Sequence, residues 1–202
     1  MLEGHVGGRG IVLAIPAGGL PVGAVVARRL NLPLDVAVVS KVTLPWNTEA
    51  GYGAVAFDGT VVLNEALLAG LGLGERQRRE GLEATRTKVA RRLKALRGDR
   101  PMPDLAGRAV ILVDDGLASG FTLLAAVEAV RKAGAKEIAL AVPTAHAESA
   151  RRVAAEVEVV YCPNVRGGWR FAVAEAYEHW YDVSEHEAAE ILDEFTGVGG
   201  ED

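Results

Sequence analysis

The most informative stretch of the chain is Ile111-Leu112-Val113-Asp114-Asp115-Gly116-Leu117-Ala118-Ser119-Gly120-Phe121-Thr122. The segment Ala109–Val113 is short, apolar and rich in β-branched residues, which is typical of a parallel strand buried on both faces. Residues 123–130 then carry apolar side chains at helical spacing, before the helix-ending Gly134. The pattern predicts a buried strand, a tight turn and a helix.

The turn between this strand and this helix is a candidate anion site. Such turns direct unsatisfied backbone N–H groups, at the positive end of the helix dipole, towards one point where a phosphate can bind. Ser119 and Thr122 can add hydroxyl donors. Asp114 and Asp115 suit the vicinal hydroxyls of a ribose and outer-shell contacts to Mg²⁺. The alternative is structural, with the two acids forming an ordinary turn and Ser119 only capping the helix.

A second strand with a glycine turn lies near the start of the chain. Residues 11–15 are apolar, Pro16-Ala17-Gly18-Gly19 follows, and a helix is predicted over residues 21–30. Gly18 and Gly19 allow the backbone to approach an anion closely or to adopt a positive φ. Two such turns favour a ligand with two anionic ends, and the alternative is a plain strand-to-helix turn.

The first stretch resembles the signature of type I phosphoribosyltransferases, which is four apolar residues, two acids and a small turn ending in Thr/Ser-Gly-x-Thr. The resemblance implies that the chain binds 5-phosphoribosyl-1-pyrophosphate (PRPP). It implies a ribose site at the catalytic pair Asp114 and Asp115, which also reaches Mg²⁺ through the outer shell of the ion. The implied 5′-phosphate site consists of Leu117, Ala118, Ser119, Gly120, Phe121 and Thr122. Phe121 departs from the family, which usually has a small residue there.

The resemblance also assigns the pyrophosphate of PRPP to Ala17, Gly18 and Gly19, with Lys41 at the end of a strand predicted over residues 34–40. Similar relatives carry Pro-Arg-Gly-Gly in the first turn and Arg-Lys at the second position, so Ala17 and Ser40 stand where a cation is expected. The implied reaction is Mg²⁺-dependent transfer of the 5-phosphoribosyl group to a nitrogenous base or amine, with release of pyrophosphate. The alternative is a regulator or sensor that binds PRPP or a nucleotide without catalysis.

Strands and helices alternate along the chain, with further apolar strands over residues 138–142 and 157–162. This alternation predicts an α/β fold with a central, mostly parallel sheet flanked by helices, and a ligand at the carboxyl ends of the strands. The resemblance implies one phosphoribosyltransferase-like domain over residues 1–202. It also implies a β-hairpin and flexible loop at about 43–64 and a small hood region.

Several aromatic and polar residues are candidates for contacting the acceptor. Residues 44–53 are rich in turn formers, and Asp58-Gly59 predicts the turn of a hairpin over residues 54–63. Aromatic side chains in this stretch can cover a ligand and exclude water, although they commonly pack in a core. The candidates, including two beyond the last strands, are Trp46, Tyr52, Asn164 and Trp169.

The charge is distributed unevenly. Residues 1–100 hold 14 Lys and Arg against 9 Asp and Glu, and residues 101–202 hold 8 against 18. A basic amphipathic helix is predicted at about 75–97, either as a solvated face, as an attractor of PRPP or as a dimer surface. An acidic helix is predicted at about 184–195, with a capping box that starts at Ser184. The acidic half argues against nucleic-acid binding, and we expect small-molecule partners and a homodimer.

Composition limits the remaining possibilities. The 202 residues, 50% hydrophobic and 24% charged, are sufficient for one core. No apolar run approaches the length of a membrane span and no signal-peptide pattern opens the chain, so we expect no membrane partner and a cytoplasmic location. The single cysteine, Cys162, excludes an internal disulfide, and no residue cluster has the spacing of direct metal ligands.

Overall fold

A five-stranded parallel sheet is the central feature of the computed structural model, which describes residues 10–168 and 170–196. In chain order the elements are β1 (Ile11–Ala14), α1 (Gly19–Leu30), β2 (Leu34–Val36), β3 (Val39–Leu44), β4 (Asn47–Ala56), β5 (Val61–Leu63), α2 (Glu65–Leu71), α3 (Glu75–Arg97), β6 (Ala109–Val113), α4 (Phe121–Lys132), β7 (Glu137–Ala141), β8 (Thr144–His146), α5 (Ala147–Ala154), β9 (Val159–Tyr161), β10 (Asn164–Arg166) and α6 (Glu185–Thr196).

The order of the strands in the parallel sheet is β2-β1-β6-β7-β9. All four residues of β1 are buried, as are the last four of β6, because both strands are covered on both faces. The chain leaves β1 towards β2 on one side and leaves β6 towards β7 and β9 on the other. Open α/β sheets bind ligands at the carboxyl ends of the strands where the order reverses in this way. The predicted α/β fold class is confirmed, and the reversal lies between β1 and β6.

Two apolar cores lie on the two faces of this sheet. One contains Leu20 of α1, Val89 of α3 and Leu192 of α6, and the other contains Leu123 of α4 and Val153 of α5. Helices therefore flank both faces, as the alternating pattern predicts. None of the helices in the described part of the chain combines the length and the apolar character that a membrane span requires.

A separate antiparallel sheet, β3-β4-β5, replaces most of the predicted flexible loop. Residues 44–53 contain turn formers, but only Pro45 and Trp46 form the turn, and β4 begins at Asn47. A Cβ added at Gly53 would lie 2.6 Å from the carbonyl oxygen of Val62. This glycine therefore permits close pairing of β4 with β5. The loop prediction was wrong because a glycine required by a neighbouring strand looks locally like a turn former.

The strand predicted over residues 34–40 is divided in two. β2 pairs with β1 up to Val36, opposite Ala14, and the N–H of Ala37 donates to the carbonyl oxygen of Ala14. The partner strand then ends, because Pro16 turns the chain and has no N–H to extend the ladder. The chain continues as β3, which pairs with β4. Lys41 consequently lies within β3, and its predicted position at a strand end is corrected.

The two charged helices contact each other within the chain. α3 spans the 23 residues that the sequence indicates for the basic helix. Arg91 and Arg92 both donate to the carboxylate of Glu185, at the start of α6, at 3.0 and 3.1 Å. The Ser184 hydroxyl accepts the N–H of Glu187 at 3.1 Å, as expected for the cap of an acidic helix. Part of the basic face is thereby neutralised by the acidic end of the same chain.

A smaller parallel pair, β8 with β10, continues from the carboxyl ends of β7 and β9. The N–H of His146 in β8 donates to the carbonyl oxygen of Leu117, and that of Leu117 donates to Thr144. This pair lies against the turn after β6. It fixes one end of the turn after β6.

We expect Ile111→Ala to lower the free energy of unfolding by about 2–5 kcal/mol, because it opens a cavity in a fully buried central strand. Urea denaturation measures the loss. The matched control is Val25→Ala on α1, where the side chain is 65% exposed and the expected change stays within about 0.5 kcal/mol. Equal losses in both variants would contradict the central position of β6.

Candidate functional site

The two glycine-containing turns meet at the carboxyl edge of the sheet. Ala14 lies opposite Val113 in the β1–β6 ladder, and the N–H of Ile15 donates to the carbonyl oxygen of Val113 at 2.8 Å. The chain beyond each strand then turns towards the other. A Cβ added at Gly18 would overlap the side-chain oxygen Oδ2 of Asp115. The first turn therefore lies directly against one carboxyl group of the acidic pair.

Close approach, and not a positive φ, explains the glycine pair. Gly18 has an ordinary helical φ of −58°. A Cβ at Gly19 would lie 2.7 Å from the carbonyl oxygen of Val113 and 3.1 Å from the Cα of Asp114. Either glycine would displace the acidic turn if it carried a side chain. Ala17, which precedes them after a cis peptide bond, is half-buried and packs against the apolar core.

Asp114 and Asp115 form a closely coupled, half-buried acidic pair at the end of β6. The N–H of Asp115 donates to the Asp114 side chain at 2.9 Å. Burial raises the pKa of Asp114 well above its usual range, and the neighbouring charge of Asp115 raises it further. Burial also raises the pKa of Asp115, although hydrogen bonds from Asp114 and the N–H of Gly116 oppose the rise. The site resists carrying two negative charges unless a cation or hydroxyl donors approach it.

The acidic pair fits Mg²⁺ only as part of a shared ligand set. Across the described ranges, 10–168 and 170–196, no three His, Cys, Asp or Glu side chains are grouped so that they could hold a metal ion. Mg²⁺ in proteins is commonly bound by one or two carboxylates while substrate phosphates and water supply its other ligands. The chemistry of this pair matches that mode.

The turn after the acidic pair is fixed from its outer side by α5. The Ser149 hydroxyl donates to the carbonyl oxygen of Ala118, and the guanidinium of Arg152 donates to that of Ser119 at 3.0 Å. Gly120 has a φ of +82°, a left-handed conformation that favours glycine, and α4 begins at the next residue. Ala118 and Ser119 are exposed to solvent. The geometry is that of an open turn at a helix N-terminus, as the sequence predicts.

Phe121, the bulky departure from the family signature, contacts Arg152 of α5. It is the first residue of α4, and the guanidinium carbon of Arg152 lies 5.3 Å from its ring centroid. A cation over an aromatic face is a favourable contact. Phe121 therefore joins α4 to α5 on the side where the carbonyl oxygens of the turn are already held.

A segment that the sequence analysis missed closes the other side of the site. The Tyr177 hydroxyl donates to the backbone carbonyl oxygen of Asp115 at 2.6 Å. A cavity of about 80 Å³ lies beside this bond, and Gly18, Asp115, Tyr177, His179, Trp180 and Tyr181 are among its lining residues. Burial raises the pKa of Tyr177 to about 12, and the two acidic side chains add to the rise. Three aromatic residues within five positions, just before a capped helix, were the available signal.

The two aromatic candidates of the β3–β4 hairpin lie in different surroundings. Tyr52 is 1% exposed, and its hydroxyl donates to the carbonyl oxygen of Arg78 beneath α3, where Gly81 leaves room for it. Its assignment to the acceptor is therefore wrong, because α3 covers the face of β4 on which it lies. Trp46 is 60% exposed at the turn of the hairpin.

The other candidates are also placed individually. Lys41 lies beside Gly51 and lines a groove between the β3–β4 hairpin and α3. The Asn164 side chain accepts a hydrogen bond from Arg166 at 3.3 Å within β10. Trp169 lies outside the described residues.

Comparison with known proteins identifies the family. The family model described as the phosphoribosyl transferase domain matches residues 6–176, and the chain belongs to this family. Two curated relatives from Mycobacterium tuberculosis, strains CDC 1551 / Oshkosh and H37Rv, each bear the name "Putative phosphoribosyl transferase". Each is 35% identical over 187 residues, which cover 91% of this chain and 41% of the relative. The chain thus spans less than half of the length of these relatives.

One solved structure is similar to this chain in sequence and fold. The crystal structure of TT1426 from Thermus thermophilus is 33% identical to this chain, with a TM-score of 0.74. The match covers 94% of this chain and 89% of that one. The resemblance inferred from the acidic signature is therefore confirmed at the level of family and fold.

We expect Asp114→Asn to raise the melting temperature at neutral pH. The folded protein raises the pKa of this carboxyl, so it holds the proton more tightly than the unfolded chain does. Stability associated with this group is therefore greatest at low pH and falls as the pH rises above about 4, the ordinary pKa of aspartate. The amide variant has no such loss, so its advantage over wild type grows with pH.

Thermal denaturation of both proteins between pH 4 and pH 8 measures this advantage. The control is Asp99→Asn, because Asp99 has a 94% exposed side chain paired with Lys94, and we expect little change. A lower melting temperature for Asp114→Asn at neutral pH would show that the acidic pair stabilises the fold.

Proposed function

We propose that this chain transfers the 5-phosphoribosyl group of PRPP to a nitrogenous base or amine, with Mg²⁺, and releases pyrophosphate. The observation that carries the proposal is the contact between Gly18 and Asp115, since it sets the two turns side by side around the acidic pair. PRPP has the matching form, because a ribose diol lies between a 5′-phosphate and a pyrophosphate on C1′.

The turn after β6 is the proposed 5′-phosphate site, and it consists of Leu117, Ala118, Ser119, Gly120, Phe121 and Thr122. Its support is the exposed position at the N-terminus of α4, where free N–H groups and the helix dipole favour an anion. Ser149 and Arg152 donate hydrogen bonds to two carbonyl oxygens of the turn, so the backbone of the turn is fixed before a phosphate binds. A rigid binding site lowers the conformational entropy lost on binding.

Asp114 and Asp115 are the proposed ribose ligands. In their ionised state they accept hydrogen bonds from the two vicinal hydroxyls, and a nearby cation favours that state by lowering their raised pKa values. Asp114 and Asp115 would help to hold Mg²⁺, which would supply neutralisation of the negative charge that develops on the leaving pyrophosphate. The acidic pair holds the sugar in position and offsets positive charge that develops at C1′.

The proposed pyrophosphate site is the turn formed by Ala17, Gly18 and Gly19. Its backbone follows β1 at the positive end of α1, next to the acidic pair. No covalent nucleophile is required in this reaction, because the acceptor nitrogen attacks C1′ as pyrophosphate leaves. Rate enhancement then rests on positioning and on electrostatic stabilisation.

The alternative, a PRPP-binding regulator or sensor, is favoured by two positions. Where the family resemblance implies cationic side chains, this chain has Ala17 and Ser40. Ser40 is 4% exposed, and its hydroxyl lacks a hydrogen-bond partner among the described residues. A pyrophosphate subsite without these cations binds its anion less tightly. Such a protein would bind PRPP without releasing pyrophosphate.

We expect Mg²⁺–PRPP to bind the wild-type chain, and the double variant Asp114→Asn, Asp115→Asn to lose at least about tenfold in affinity, because both charged acceptors of the diol are removed. Isothermal titration calorimetry measures the affinities. Ribose 5-phosphate and pyrophosphate are separate ligands that report on the two ends of the site. Asp99→Asn is again the matched control, since it removes an exposed aspartate charge elsewhere.

A screen for pyrophosphate release with purines, pyrimidines and amines then separates the two functions. Release with any acceptor identifies a transferase, and PRPP binding without release identifies the regulator. If PRPP fails to bind the wild-type chain, both proposals are overturned.

We expect Ala17→Arg to tighten pyrophosphate binding by about tenfold, because a charge-assisted hydrogen bond contributes about 1.5 kcal/mol or more. The gain should decrease with added salt. Ala17→Met is the control for side-chain length, as it adds bulk without charge. Equal affinities for the arginine and methionine variants would contradict the placement of pyrophosphate at this turn.

A further inference from the structure

We propose that Tyr177 is a positioning residue for the acidic pair, and that its hydroxyl fixes the Asp115 peptide group so that the two carboxylates can discriminate ribose from deoxyribose. This inference rests on the proposed function, since it concerns the ribose part of the same site.

The hydrogen bond from Tyr177 is placed at a critical peptide group. Its acceptor is the backbone carbonyl oxygen of Asp115, at 2.6 Å. This peptide group joins the acidic pair to the turn that we propose as the 5′-phosphate site. Reorienting this carbonyl requires a change in ψ of Asp115 or φ of Gly116, the two torsions that join the acidic pair to the turn after it. A half-buried carbonyl that loses its donor incurs a desolvation penalty, so the bond favours one orientation.

The site-covering segment, residues 173–183, holds Tyr177 firmly in this position. A Cβ added at Gly116 would lie 2.5 Å from Cγ1 of Val173, so the segment is packed tightly on the acidic turn. The rings of Tyr177 and Trp180 form an edge-to-face pair with centroids 5.1 Å apart. The Tyr181 hydroxyl donates to Glu187 of α6 at 2.8 Å. The segment is thus anchored to both the site and the last helix.

The site-covering segment also limits the space beside Asp115. The cavity there is about 80 Å³, whereas ligand pockets commonly measure about 300–1,000 Å³. Gly18, from the proposed pyrophosphate turn, and Tyr177, from the site-covering segment, both line this cavity. A small displacement of Tyr177 therefore changes the room in which the diol meets the carboxylates.

Tyr177→Phe tests the proposal, because it removes the hydroxyl and keeps the ring. Calorimetry with ribose 5-phosphate and 2-deoxyribose 5-phosphate, each with Mg²⁺, measures the preference for the diol. We expect the preference to fall by about 3- to 10-fold, as for one lost hydrogen bond. The matched control is Tyr52→Phe, which removes a phenol hydroxyl that also donates to a backbone carbonyl but lies in the core beneath α3. We expect Tyr52→Phe to retain the wild-type preference.

Amide hydrogen exchange without ligand gives a second readout. In Tyr177→Phe, residues 114–117 and 173–183 should exchange faster than in wild type, and Tyr52→Phe should leave them unchanged. If wild type binds ribose 5-phosphate and Tyr177→Phe keeps the full preference, the positioning role is overturned. If wild type binds neither ribose 5-phosphate nor PRPP, the proposed function fails, and the exchange data decide whether Tyr177 fixes the backbone at Asp115. Unchanged exchange would overturn that structural role as well.

Discussion

The parallel pairing of β1 with β6 is the constraint on which the site depends. It sets Ala14 opposite Val113, so the chain segments that follow must share one small space at the edge of the sheet. Asp115 fills the volume that a side chain at Gly18 would need. The pairing of β1 with β6 therefore leaves room only for a glycine at position 18. A ligand with two anionic ends can meet both turns only because these strands are neighbours.

The acidic pair follows a deeply buried central strand. β6 and its neighbours supply apolar burial, and at the end of that strand burial raises the pKa of both acids. Carboxyl groups with raised pKa values ionise more readily when a cation or hydroxyl donors lie beside them.

Elements with local signals were predicted well. The basic helix, the cap at Ser184 and the buried strand β6 each depend on periodicity or capping within a few residues. Errors occurred where a distant element determined the outcome. Gly53 has the local character of a loop residue, but it accommodates the neighbouring strand β5. Tyr52 has the local character of a ligand-covering aromatic, but α3 buries its side chain. Lys41 lies within β3, and not at a strand end, because β1, the partner of β2, ends at Ala14 and the chain goes on to pair with β4.

Local sequence patterns alone were sufficient to predict the family, the acidic pair and the two glycine turns, because each of these features depends on consecutive residues. The strand order that joins the turns, and the closure of the site by Tyr177, arise only in the folded chain. Tyr177 lies 62 residues from Asp115, and the hydrogen bond between them depends on how the site-covering segment packs. No periodicity encodes such a contact, because pairing across long separations is selected by the packing of the whole sheet and its helices.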